Sequence, residues 1–149
     1  MKIGTFLAPE NALVNMEASD KTRLLMKLSG RAAKSVFLEP EQVSQEILKR
    51  EELGSTGVGG GAAIPHARIP GLLTPFGILA RLRKPIDFDA VDGKPVDLIF
   101  LLLLPATSTG DHLKVLAAVA RRLRDEVTLS ALRQAENNEN LYDAMSTEA

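Results

Sequence analysis

Apolar positions along the 149-residue chain change period twice, and those changes separate helical from extended stretches. In the opening "LAPENALVNM", Ala12, Leu13 and Val14 stand between turn-forming residues and predict one short strand. Ser19 or Asp20 can then cap a helix whose apolar positions, Leu24, Leu25, Leu28, Ala32, Ala33 and Val36, recur at helical spacing. The pair Glu39-Pro40 separates it from a second helix with Pro40 in its first turn and Val43, Ile47 and Leu48 as the buried stripe. This helix is expected to stop at Leu53-Gly54, because glycine commonly follows a helix C-terminus.

Beyond a glycine-rich segment the period falls to two. Phe76, Ile78, Ala80 and Leu82 alternate in "FGILARLR" as in a strand with one buried face. "VDLIFLLLLP" (96–105) is apolar throughout, as a strand covered on both faces is. The helical period returns in "DHLKVLAAVARRLRD" and in two shorter stretches, 128–135 and 139–145. Helices on either side of a short set of strands predict an α/β fold, a three-layer α/β/α domain, with no strand order implied.

Length and composition narrow the picture. A chain of this size suits one domain, 1–149, with a single core. Eighteen basic residues against 19 acidic ones give no electrostatic footprint for nucleic acid. Cysteine is absent, which excludes disulfides, thiolate catalysis and cysteine metal sites and fits a reducing cytoplasm. The longest apolar run, 98–104, is far below the roughly 20 residues that span a bilayer, so no membrane insertion is expected. Met1-Lys2-Ile3-Gly4 opens no apolar core of signal-peptide length. The expectation is a cytoplasmic protein.

The candidate chemistry lies in "GSTGVGGGAAIPHARIPGL" (54–72). Its "GVGGGA" formally satisfies G-x-G-x-x-G/A, but that fingerprint works only between a strand and a helix N-terminus. Here a helix comes first, and Pro65 and Pro70 exclude a helix from the loop. No Gly-Lys-Ser/Thr follows for a Walker A loop, so no nucleotide site is predicted. The glycines can instead turn successive N–H groups of Gly57 and Gly59 into an anion-binding nest, with the Ser55 and Thr56 hydroxyls beside it. Ala62-Ala63-Ile64 can form a short strand that brings His66 to a strand end facing the nest. Neutral imidazole is a nucleophile, and those donors would stabilise a phosphoryl dianion on it. Spacing alone equally allows a plain loop with His66 as a surface residue.

His112 heads a stripe with Leu116, Val119 and Leu123 in the first turn of its helix. A helix N-terminus favours neutral imidazole and attracts anions, which suits this histidine to a phosphate; a buried histidine satisfied by a backbone carbonyl is the alternative. His66, His112 and Asp111 as zinc ligands are disfavoured without cysteine or motif spacing, so no metal is expected. Arg50 can serve the C-terminus of its own helix or reach a phosphate on His66.

Three segments, "REELGSTGVGGGAAIPHARIPGL" (50–72), "PIDFDAVDGKPVDLIFLLLLP" (85–105) and "HLKVLAAVARRLRD" (112–125), resemble the enzyme IIA proteins of the bacterial phosphotransferase system. The likeness is to the mannitol/fructose class, and most of all to its nitrogen-regulatory branch. It implies a three-layer α/β/α domain with a mixed sheet. It also implies phosphorylation of His66 by a histidine-bearing carrier of the HPr type, with His112 beside it and Arg50 holding the phosphate. No cofactor is implied, because the donor is another phosphoprotein. The implied partners are that carrier and regulatory targets such as a potassium transporter or a sensor kinase. The alternative is a fructose- or mannitol-specific enzyme IIA that passes phosphate to a IIB domain; Phe88 in "PIDF", where sugar branches often carry Trp, favours the regulatory branch. Ala67 stands where the family usually has glycine; if that glycine needs a positive φ, alanine would be strained there by about 1 kcal/mol, so either φ is negative or the loop differs locally.

Overall fold

A computed structural model describes residues 2–107 and 111–147. The strands are β1 (Ala12–Met16), β2 (Gly57–Gly59), β3 (Ala62–Ala63), β4 (His66–Ile69), β5 (Phe76–Ile86) and β6 (Val96–Pro105). They form one mixed sheet in the order β1-β5-β6-β3-β2, with β4 paired to β6 beyond β3. β1 lies parallel to β5, β5 antiparallel to β6, and β3 and β4 both parallel to β6. β3 pairs opposite Leu98 and Ile99, and β4 opposite Leu102 to Pro105, so the two short strands share one side of β6 end to end.

Helices α1 (Lys21–Val36) and α2 (Pro40–Glu52) cover one face of the sheet; α3 (Asp111–Arg124), α4 (Glu126–Gln134) and α5 (Asn138–Ser146) cover the other. β6 shows why its sequence is apolar without alternation. Ile99, Leu101 and Leu103 pack under α1 and α2, whereas Leu98, Phe100, Leu102 and Leu104 pack under the α3 side. The three-layer α/β/α expectation holds.

Local signals explain the boundaries. Asp20 caps α1 by accepting from the Arg23 N–H, and Pro40 opens α2, where its missing donor costs nothing. Asp125 and Asn137 cap α4 and α5, so both begin one or two residues before the periodicity alone places them. On α3 the buried stripe is His112, Val115, Val119 and Leu123, and Leu116 sits half-buried at its border.

β5 departs from the expectation of one buried face. It runs three residues past Arg83, and Ile78, Leu79 and Ala80 are all buried. The strand lies between β1 and β6 with helices on both sides, so tertiary position overrides the alternation of residue types. Gly77 is part of the reason: the Phe100 ring lies where its Cβ would stand, at 2.6 Å. No helix among the described residues is long and apolar enough to cross a membrane.

Candidate functional site

Pro65 is followed immediately by β4, and the strand's alternation decides where its side chains go. Ala67 and Ile69 enter the core under α1 and α2. His66 and Arg68 therefore share the opposite face, the one occupied by Leu102, Leu104 and α3. The C-terminal half of α2, the start of α3 and this face of β4 enclose a cleft of about 400 Å³ lined by Glu46, Lys49, Arg50, Leu53, His66, Ala67, Arg68, Leu104, His112, Leu113 and Leu116.

Within the cleft the polar groups are poised and incompletely engaged. His66 Nδ1 lies 2.7 Å from the Ile64 carbonyl oxygen, which can only accept, so Nδ1 carries the proton and Nε2 keeps its lone pair. Burial pushes the His66 pKa below its ordinary value; the Ile64 bond and Glu51 pull upward, and the Arg50 guanidinium adds to the lowering. The ring is consequently neutral and nucleophilic at neutral pH. His112 is only 4% exposed, and neither of its ring nitrogens has a hydrogen-bond partner among the described residues. A buried imidazole without a partner is costly and points to a group that completes it on binding. Arg50 donates from one Nη to the Gly54 carbonyl at 2.9 Å while lining the cleft, so it serves its helix terminus and the site together. The lining carries three cations against one carboxylate, in a chain whose formal net charge is −1.

The structure brings His66, His112 and Arg50 together and leaves Ser55, Thr56, Gly57 and Gly59 elsewhere. The predicted nest is a β-hairpin: β2 and β3 pair antiparallel around Gly60 and Gly61, with positive φ at Gly59, Gly60 and Gly61. Its donors already meet anions and carbonyls of the chain itself. The Thr56 N–H and hydroxyl donate to Glu51 at 2.9 and 2.5 Å, and the Ser55 hydroxyl donates to the Phe88 carbonyl while accepting from the Gly57 N–H. The Gly60 N–H donates to Asp92 at 3.0 Å, and Gly59 lies beside that same carboxylate. None of these four residues lines the cleft.

Glu51 was not singled out from the sequence, yet it organises the turn behind the site. It is buried, and Lys21 reaches it at 2.8 Å while also donating to the Phe88 carbonyl and lying 4.6 Å over the Phe88 ring. Its neighbours Lys49 and Glu46, and Arg68 on β4, were equally missed. The signal for Arg68 was present, since i and i+2 in a strand share a face. Ala67 has no positive φ, so the substitution for glycine is accommodated without strain in an extended strand. No group of three or more His, Asp or Glu residues among those described can hold a metal ion.

Comparison with known proteins places the chain in a family. Residues 5–148 match the family described as phosphoenolpyruvate-dependent sugar phosphotransferase system, EIIA 2. The nitrogen regulatory protein of Bradyrhizobium diazoefficiens is 42% identical over 146 residues, covering 98% of this chain and 95% of that protein. That of Escherichia coli is 40% identical over 147 residues, covering 98% and 90%. The crystal structure of nitrogen regulatory protein IIA-Ntr from Neisseria meningitidis superposes with a TM-score of 0.91 at 36% identity, over 96% of this chain and 98% of that one. With near-complete coverage by both the sequence family and its relatives, the chain belongs to the EIIA 2 family of the phosphoenolpyruvate-dependent sugar phosphotransferase system.

Proposed function

We propose that this protein is a phosphocarrier of the nitrogen-regulatory type: it accepts a phosphoryl group on His66 and acts on partner proteins according to its phosphorylation state. The observation that carries the reading is the His66 Nδ1–H bond to the Ile64 carbonyl, which fixes the tautomer and leaves Nε2 as the nucleophile in a cationic cleft. In the transfer step the donor's nitrogen–phosphorus bond breaks as the bond from Nε2 forms. The electron pair returns to the donor ring, and the His66 proton stays on Nδ1. His112 and Arg50 hold the phosphoryl oxygens, an arrangement supported by the unpartnered His112 nitrogens.

The donor in this reading is a phosphohistidine carrier of the HPr type, and the targets are regulatory proteins such as a potassium transporter or a sensor kinase, all in the cytoplasm. The nitrogen regulatory relatives share 42% and 40% identity across 98% of this chain, which favours this branch over a sugar-specific enzyme IIA. Incubation with phosphoenolpyruvate and the general carrier proteins is expected to add one acid-labile, base-stable phosphoryl group, and His66→Ala is expected to abolish it. Phosphorylation of His66→Ala, seen by mass spectrometry, overturns the assignment. Normal fructose and mannitol uptake in a deletion strain separates the regulatory reading from the sugar-specific one.

A further inference from the structure

We infer that Arg68 is a second cation that grips the phosphoryl group on His66 and holds it until transfer. The inference rests on the phosphoryl-transfer reading of this cleft and names a residue that reading does not use. His66 and Arg68 are two positions apart on β4, which sets their Cα atoms about 6.5–7 Å apart on one face. The intervening Ala67 is buried in the opposite core, so the strand cannot slip or rotate to separate them without exposing apolar surface. Pairing of β4 with β6 from Leu102 to Pro105 fixes the strand further.

The state of the Arg68 side chain distinguishes it from Arg50. Arg50 already holds the Gly54 carbonyl, whereas Arg68 is exposed and makes no hydrogen bond or ion pair among the described residues. Arg50, on α2, and Arg68, on β4, line the same cleft as His66. A guanidinium offers two parallel N–H groups to phosphate oxygens, and its reach exceeds the spacing along the strand. A phosphohistidine carrying roughly −1.5 to −2 charges, as other phosphoresidues do, has three oxygens to satisfy. His112 and Arg50 supply donors from the helical walls, and Arg68 supplies the fork from the strand that carries the nucleophile. In the unphosphorylated protein the same guanidinium is solvated, which explains a free arginine beside a partly buried histidine.

The test uses the whole chain as wild type, Arg68→Gln and Arg68→Lys, phosphorylated through phosphoenolpyruvate and the carrier proteins. Forward transfer to Arg68→Gln is expected to fall roughly tenfold, the lower end of what losing a charge-assisted hydrogen bond does to a rate, with Arg68→Lys in between. Thermal unfolding of both unphosphorylated variants should match wild type, because the side chain is exposed. A merely structural or steering role would not move the second readout, the phosphorus NMR titration of the phosphohistidine. Removing a contacting cation should raise the pH at which the phosphate takes up its proton. Wild-type rates and an unshifted titration in Arg68→Gln overturn the inference while leaving the role of His66 intact. A wild-type protein that accepts no phosphate overturns both.

Discussion

The glycine hairpin and the histidine cleft lie on the same side of β6, only a few residues apart along it, and they treat polar groups in opposite ways. In the hairpin and its flanking turn, donors meet partners within the chain: Gly60 meets Asp92, Thr56 meets Glu51, and Ser55 meets Phe88. In the cleft, the His66 Nε2 lone pair, both His112 nitrogens and the Arg68 guanidinium have no partner among the described residues. Anion binding in the hairpin is observed, and its anions are side chains of this protein; in the cleft it belongs to the phosphocarrier reading. A density of glycine, serine and threonine can therefore mark an anion supplied by the chain itself, whereas groups left over after folding are where the phosphocarrier reading places a foreign one.

Breaking the satisfied region should damage stability first. Glu51→Ala removes the acceptor of both Thr56 donors and leaves Lys21 only its Phe88 contacts and the distant Asp89 carboxylate, and loss of one partner from a buried ion pair costs about 3–5 kcal/mol. Urea unfolding should show this as a large drop in midpoint, with Glu51→Gln in between because its amide oxygen still accepts from Thr56. A loss near 1 kcal/mol would mean that water replaces Glu51 and that the turn is not internally satisfied after all.

The unsatisfied region should respond in the other currency. His112→Ala removes a buried ring that has no hydrogen bond to lose among the described residues, and the relief of its unpaired nitrogens offsets part of the cavity it leaves. Its stability loss should be smaller than that of Glu51→Ala. Phosphoryl transfer should slow by about one to two decades, the equivalent of 1.5–3 kcal/mol for a hydrogen bond to a charged group. Unchanged forward and reverse rates would make His112 a structural residue. Ser55→Ala should do the reverse on a smaller scale: about 1 kcal/mol of stability from its bonds to Phe88 and Gly57, and wild-type transfer rates.

The elements of the fold were legible because each carried a local signal. The apolar stripe and cap of α1, the proline of α2 and the unbroken apolar run of β6 all point to the structure they adopt. β5 was read as half-buried because alternation is counted along one strand, while burial depends on neighbours distant in sequence. His66, Arg50 and His112 were legible as residues with suitable chemistry at helix or strand ends, and their convergence in one cleft needed the fold. The hairpin donors misled for a physical reason. Thr56 faces Glu51 across a turn of five residues, but Gly60 meets Asp92 at a separation of 32 and Ser55 meets Phe88 at 33, so the partners are invisible to any local pattern.

Acid should separate the two regions in a definite order. Burial holds the His66 pKa below its ordinary value of 6.5, so as pH falls past that value the unfolded chain takes up a proton that the folded chain resists. Folding stability then declines between 6.5 and the lowered pKa, and above 6.5 this group contributes no pH dependence. In the hairpin, the N–H groups of Lys94 and Gly60 hold the Asp92 carboxylate below its ordinary value of 3.8. Its contribution is complete above 3.8 and is lost only as pH falls through the still lower folded pKa, so the cleft responds to acid before the hairpin does. Urea unfolding of wild type and His66→Gln at about pH 7 and about pH 5 isolates the first step, because the carboxylates are common to both proteins. Wild type should lose more stability than the variant across that interval, and NMR titration of the His66 ring should give a midpoint below the ordinary imidazole value. Equal losses in the two proteins would mean that His66 takes up its proton as readily in the folded chain as in the unfolded one, and the neutral nucleophile would then owe nothing to its burial.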